Sequence, residues 1–439
     1  MLKLNLCRGI SRKFFYEANG LALSAAVLLF FSCNDEIPNS NEPEPEDVSV
    51  KEYAFINPDD TLNISLCEAE DIATLFMNEL GGVDNTFKSK GLYYSSRKAT
   101  MFPDDNMEPA VYAINLDPEG FCIVSATKKT ETILAYSDQG KFEPDNLPIG
   151  LADWLSEKIE LIQEVRGEAS ISSIKKTITS PEGNGLLPPG GREDVGYVIK
   201  TYGPLLKTSW GQGYPYNYQC PAKETCEHSM AGCVAIAAAQ VVRYWEPKNS
   251  SYSWKEMPNS ATGSEPTYYV LNNKGFSSMS QLIREIGDAV NMDYGCDGSG
   301  AQTRDIPKVL SQKYGFYNCG NYQEMKPNQA QSKVISNIKN KQPVIMKGQS
   351  GYIAYNSLYI TGGHAWVCDG YKEIKKDQEI KQQLFHMNWG WDGKGDGWYT
   401  IDLKFDKSAS HADGSDGIFV YLRGYITDIK ATQKGNLFF

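Results

Sequence analysis

Histidine is scarce in this chain. His228, His364, His386 and His411 are the only four in 439 residues, so any imidazole chemistry must run through one of them. None of the ten cysteines forms a C-x-x-C pair, which removes the common structural zinc sites. Positive charge is also short: 43 Lys and Arg stand against 54 Asp and Glu, for a net charge of −11. No basic stripe offsets phosphate repulsion, so nucleic acid is excluded as a partner. There is no internal repeat. The longest apolar run, "LALSAAVLLFFSC", is too short to span a bilayer. The glycine-rich "WDGKGDGW" lacks the calcium-loop pattern, because Lys394 takes a ligand position and Leu403 falls where the bidentate glutamate belongs. A tight turn is expected there. No metal and no other cofactor is called for.

What is present points first to organisation. A chain of 439 residues exceeds one ordinary core, so two folded domains plus extensions are expected. Residues 1–33 begin with Lys3, Arg8, Arg12 and Lys13, continue through the apolar run and stop at Cys33. That is an export signal. Its ending "FFSC" resembles a bacterial lipoprotein signal, which implies lipidation of Cys33 and anchoring at the outer membrane or cell surface. Phe30 departs from the usual aliphatic residue there, and ordinary secretion with nearby cleavage is the alternative. Residues 34–48, acidic and rich in proline, read as a disordered tether. At about 3 Å per residue it would reach about 50 Å.

Residues 49–178 read as an α+β unit. "AVYAINLDPEGFCIVSATKKTETILAYS" contains two or three strands, turned at Asp117-Pro118-Glu119-Gly120. Leu151, Trp154, Leu155, Ile159, Ile162 and Val165 share one helix face. Residues 179–194, dense in proline and glycine, mark a linker and processing region. The domain at 195–439 starts with loops, continues with helices after Cys233, near 279–292 and near 303–315, and ends in strands. That order predicts α+β, with a sheet built mainly from the C-terminal half.

The stretch "SMAGCVAIAAAQVVRYW" raises the chemical question. Gly232 permits an unusual backbone angle, and Cys233 opens a helix of small residues. The positive end of a helix dipole favours thiolate, the nucleophilic form. A buried structural cysteine is the alternative. A nucleophile needs a base. His364 lies on a strand whose Trp366 and Cys368 share its face, after two glycines that let another backbone approach. Asn388 can fix an imidazole by a side-chain hydrogen bond without adding charge. His386 is the rival base, but sits two residues from Asn388 on the same strand and could meet it only sideways. His228 belongs to the loop before the helix, and His411 to a polar turn. Trp389 either shields a His–Asn bond from water or is a core tryptophan. Among the other cysteines, Cys220 with Cys226 is a candidate small loop. If Cys233 stays a thiol, the remaining seven beyond the signal cannot all pair.

"GQGYPYN", "AGCVAIAAAQVVRYW", "VNMDYG", "NKQPVIMKG", "GGHAWVCDGY" and "FHMNWGWDGKGDGWY" stand in the order found in the streptopain family of papain-like cysteine peptidases. The N-terminal unit resembles that family's inhibitory propeptide, notably at "GFCIVSATKKTETILAYSDQGKF". The resemblance covers roughly residues 50–430 and implies a papain-like domain made as a zymogen. It implies Cys233 as nucleophile, His364 as general base, Asn388 as its orienter and Trp389 as its cover. Gln212 would share an oxyanion hole with the Cys233 N–H. Ser299, Gly300 and Gly363 would line the substrate, with an apolar residue next but one before the scissile bond. "QSGYIAYNSLYITGG" before His364 is longer and more aromatic than the family's short glycine-rich loop, so specificity does not carry over with it. The implied partners are protein or peptide substrates and the chain's own prodomain as inhibitor, with the membrane reached through a lipid anchor. Two readings compete: a papain-fold amidase or transglutaminase, and a surface adhesin or glycan-binding module on the same fold.

Overall fold

The computed structural model describes residues 62–83, 93–167, 197–248, 251–324, 329–348, 351–354, 357–360, 363–376, 379–401 and 424–431. The expected signal with Cys33, the acidic tether, the 179–194 linker, His411 and residues 417–423 of the last expected strand lie outside the described residues.

In the N-terminal unit, α1 (Leu66–Val83) buries Ala69, Ala73, Phe76, Met77 and Leu80, a stripe at helical spacing. It packs on a meander of β1 (Ser95–Pro103), β2 (Pro109–Asp117), β3 (Phe121–Ser125) and β4 (Ile133–Ser137). The β2–β3 turn needs Gly120 at φ +103°, where an added Cβ would lie 2.5 Å from the Ser137 carbonyl oxygen. Then α2 (Ile149–Gly167) buries Leu151, Trp154, Leu155, Ile162 and Val165, the face expected from the sequence.

In the C-terminal unit, β5 (Tyr197–Tyr202) precedes five helices: α3 (Cys233–Trp245), α4 (Thr267–Asn272), α5 (Lys274–Ala289), α6 (Ile306–Tyr314) and α7 (Gln329–Lys339). Two short strands, β6 (Phe316–Asn318) and β7 (Gln323–Glu324), precede α7. After α7 come β8 (Val344–Gly348), β9 (Gly351–Ala354), β10 (Ser357–Ile360), β11 (His364–Lys376), β12 (Glu379–Asn388), β13 (Gly397–Tyr399), β14 (Gly424–Ile426) and β15 (Lys430–Ala431). The class is α+β, as expected. Helix α3 is buried from Val234 to Val242, and its small side chains let α5 and β11 pack closely on it.

Within the C-terminal unit the sheet comes mainly from the later strands, as expected, but it continues into the N-terminal unit: it runs β1-β2-β3-β4-β13-β12-β11-β8-β14-β7, with β5 also paired to β11. The junction is β4 against β13. Tyr136 faces Trp398, Ala135 faces Tyr399, and the Thr400 N–H donates to the Leu134 carbonyl at 2.9 Å. Such pairing joins residues more than 260 positions apart, and no local sequence pattern encodes it. The apolar clusters cross the junction too. Phe121, Trp154 and Leu155 share one cluster with Val344, Met346 and Trp389.

Candidate active site

Cys233 is the first residue of α3. Gly232 before it has φ +85°, and a Cβ there would lie 2.7 Å from the Met292 sulfur and 3.1 Å from the Ser299 carbonyl oxygen. Only glycine fits both the angle and the space. Across from the helix, β11 begins at His364, which is paired with Gly348 of β8. Because α3 packs on β11, imidazole and thiol come into hydrogen-bonding contact, and the Ala365 N–H points at the Cys233 sulfur at 3.4 Å.

The electrostatics follow from that contact. Burial pushes the Cys233 thiol up, but the His364 charge, its hydrogen bond and the N–H groups of Ala365 and Val234 outweigh it. The thiol is held below its ordinary range. Burial pushes His364 down, but the Cys233 charge and hydrogen bond, the Trp389 carbonyl and Asp153 leave it raised. Each group favours the charged form of the other.

The His364 ring is held by a different group than expected. Its Nε2 donates to the Trp389 main-chain carbonyl at 2.7 Å, which leaves Nδ1 for the sulfur. The Asn388 side chain is engaged elsewhere. Its Oδ1 accepts from Gln240 Nε2 at 2.9 Å and from the Gly390 N–H at 3.2 Å, and its Nδ2 donates to the Thr208 carbonyl at 2.6 Å. The cause is local. Strand β12 ends at Asn388, and Gly390 at φ +68° turns the chain, so the peptide after Trp389 meets the imidazole while the Asn388 amide meets α3.

Trp389 is buried, its ring packed against Trp366 and Tyr399 with centroids 5.1 and 5.3 Å away. Its indole N–H donates to the Gly395 carbonyl, and its main-chain N–H to Asp396 at 2.8 Å. Burial pushes the Asp396 carboxyl up to about 7. The "WDGKGDGW" stretch is the expected tight turn, with Gly393 and Gly395 at positive φ.

Gln212 is buried, and its carbonyl accepts the Ala231 N–H at 2.9 Å, which sets it against the segment entering Cys233. Ser299 Oγ donates to the Met230 carbonyl at 2.6 Å and accepts from the Gly295 N–H. Gly300 closes the same loop by a two-way backbone pair with Asp293. Gly363 is exposed, directly before His364. His386 is held apart from the thiol: its Nδ1 pairs with Asp369 at 2.7 Å and its ring packs on Trp398. His228 lies on the Tyr218 ring.

The cysteine pairing is corrected. Cys226 is bridged to Cys296, not to Cys220. Lys223 and Cys226 close a tight turn by mutual backbone hydrogen bonds, which aims Cys226 at the 293–300 loop. Cys220 stays in the core, its thiol pushed up to about 12 by burial.

Gln240, Asp396, Gly150 and Asp153 were not read from the sequence as site residues. Gly150 is the second residue of α2 in the N-terminal unit. A Cβ on it would lie 2.8 Å from His364 Cδ2 and 2.8 Å from the Trp389 ring. Asp153 and Trp154 follow, lining a cleft with Lys347, Trp366 and Trp389. The Trp154 N–H donates to the Thr400 carbonyl at 2.8 Å, and its ring meets Tyr399 edge-on. The N-terminal unit thus lies directly against the imidazole.

Residues 210–399 match the Peptidase C10 family and residues 62–161 match Spi protease inhibitor. Streptopain of Streptococcus pyogenes serotype M28 is 25% identical over 361 residues, covering 73% of this chain and 80% of that protein. Thiol protease/hemagglutinin PrtT of Porphyromonas gingivalis is 24% identical over 335 residues, 69% of this chain and 35% of that protein. A solved prointerpain A fragment of Prevotella intermedia has TM-score 0.51 at 22% identity, covering 74% of this chain and 96% of that one. That last likeness is one of fold: a papain-like α+β domain preceded by a smaller α+β domain.

Proposed function

The chain carries a cysteine peptidase domain of the C10, or streptopain, family behind an Spi-type inhibitor domain, and we propose that it is an exported endopeptidase made as a zymogen. Cys233 is its nucleophile and His364 its general acid and base. The observation that carries this reading is the contact between Cys233 and His364, with the thiol lowered and the imidazole raised.

The thiolate attacks the scissile carbonyl carbon, and the π electrons move to oxygen. The Cys233 N–H at the start of α3, together with the Gln212 side chain, receives that oxyanion. His364 Nδ1–H protonates the leaving nitrogen as the C–N bond breaks, leaving a thioester. Water then attacks the thioester, His364 takes its proton, and the thiolate leaves. The Trp389 carbonyl holds Nε2–H throughout, so Nδ1 keeps its aim. Asn388 acts one step back, on the Trp389–Gly390 peptide. Ser299, Gly300 and Gly363 border the substrate.

Residues 49–178 form the inhibitory prodomain and 195–439 the catalytic domain. Residues 179–194 belong to the processing region. The pairing of Tyr197–Tyr202 along β11 supports a cut before that strand, in or near the 179–194 linker. Export rests on the basic and apolar segment at 1–33, and anchoring on a lipid at Cys33. Cys33→Ala should move the protein from the membrane to the soluble fraction; unchanged partitioning and no lipid mass on Cys33 would leave simple secretion.

The test is peptide hydrolysis by purified variants. Cys233→Ala should abolish it with the fold intact. His364→Ala should lower it by several orders of magnitude, and His386→Ala should act mainly through stability. Wild-type turnover in Cys233→Ala would overturn the reading.

A further inference from the structure

We infer that Gln240 is a positioning residue for the peptidase reaction, a side chain that ties the nucleophile's helix to both the base and the oxyanion segment. This rests on the Cys233–His364 reading above. Gln240 lies seven residues after Cys233 on α3, two turns on and on the same face, about 10 Å along the axis. It is fully buried in a helix otherwise made of alanine, valine and isoleucine there. A buried amide in such surroundings is costly unless both ends are bonded.

Both ends are bonded, and neither to its own helix. Nε2 donates to Asn388 Oδ1 at 2.9 Å, and Oε1 accepts the Trp210 N–H at 3.1 Å. The first bond leads to the base. Asn388 Oδ1 also accepts the Gly390 N–H, and the carbonyl of that same Trp389–Gly390 peptide receives His364 Nε2–H. A shift of Asn388 therefore tilts the peptide on which the imidazole rests. The second bond holds Trp210, two residues before Gln212, whose carbonyl in turn takes the Ala231 N–H beside Cys233. Asn388 is prevented from turning over, because Nδ2 donates to the Thr208 carbonyl. A donor from α3 is thus the only polarity its Oδ1 accepts. The imidazole's aim at the sulfur is set from inside the helix that presents the sulfur.

The test uses the matured enzyme, with kcat referred to the sites that a peptidyl thiol reagent can titrate. Gln240→Met keeps the volume and removes both bonds. It should lower kcat about 10- to 100-fold at nearly constant KM, the size of effect a small misplacement produces. Its alkaline limb should move to lower pH, because the imidazolium has a looser acceptor. Combined with Asn388→Ala, it should add little to the loss from Asn388→Ala alone. Gln240→Glu is the second variant, should Gln240→Met not fold. It keeps the acceptor for Trp210 but sets an oxygen against Asn388 Oδ1. Once protonated it becomes a donor, so its activity should recover toward acid pH while that of Gln240→Met does not. Additive losses in the double variant, an unshifted pH profile or no acid recovery in Gln240→Glu would overturn the inference. Any of these with an inactive Cys233→Ala defeats the role of Gln240 alone; an active Cys233→Ala defeats the reading beneath it.

Discussion

At Cys233, burial and charge pull in opposite directions, and the imidazole decides the outcome. Burial alone would keep the thiol protonated, and the same burial would keep His364 neutral. Brought together, each compensates the other. The sign of the pH dependence follows. A thiol held below its ordinary range is already thiolate at lower pH, so activity rises on the acid side through that lowered ionisation. An imidazole held above its range stays protonated at higher pH, so activity falls on the alkaline side through that raised ionisation. The pH dependence of Cys233 alkylation measures the coupling. In His364→Ala the thiol keeps its burial and loses its cation, so the onset of alkylation should move to higher pH. An unmoved onset would mean that the helix terminus alone activates the thiol. Asp153 also raises His364, and it belongs to the inhibitor domain.

Among the elements, the loop at 293–300 shows how the proposed substrate wall is built. It is closed by the Asp293–Gly300 pair, hooked to Met230 through Ser299, and bridged by Cys296 to Cys226 in the segment leading to Cys233. The bridge spans 70 residues, for which chain entropy predicts about 4 kcal/mol of stabilisation. Replacing Cys226 and Cys296 together by serine should lower the melting temperature. It should also raise KM more than it lowers kcat, since the wall moves while Cys233 and His364 stay joined through α3 and β11. A change in kcat alone would place the loop in the chemistry instead. Helix faces were legible beforehand: Leu151, Trp154, Leu155, Ile162 and Val165 are buried as their spacing predicts. The bridge was not, because cysteine spacing carries no record of which loops meet in space.

Over the whole molecule, inhibitor and peptidase are joined by more than a docked surface. The sheet passes through both, and Lys372 of β11 is buried 4.1 Å from the Trp398 ring centroid while donating to the Tyr136 hydroxyl on β4. Cutting the chain in the 179–194 linker leaves β4 on β13 and α2 on the cleft. Wild-type protein should therefore convert to a fragment of about 240 residues that first co-elutes with its severed inhibitor and becomes fully active only as the inhibitor is lost. Cys233→Ala should stay full length unless another protease is added. Trp154→Ala in the full chain removes the bond to Thr400 and the contact with Tyr399, and should speed labelling of Cys233 by a peptidyl thiol reagent about 30-fold or more. Equal labelling rates, or a severed inhibitor that leaves at once, would mean that the covalent linker rather than the interface holds the zymogen shut.

Residue identity was enough to place the thiol at a helix start, to require glycine before it, to narrow the base to two histidines and to expect a turn after Trp389. These are local properties: dipole position, backbone angle, scarcity, turn chemistry. Strand position and family resemblance already favour His364 over His386; the packing of α3 on β11 is what brings His364 to the sulfur, while His386 pairs with Asp369. The orienting group needed tertiary structure. The pattern of residue types pointed to the Asn388 side chain, whereas the imidazole rests on a backbone carbonyl, and a carbonyl has no letter in the sequence. The sheet shared by both halves, the Cys226–Cys296 bridge and the buried Gln240 are of the same kind. Each joins groups far apart along the chain, and their meeting is a property of packing rather than of any local stretch.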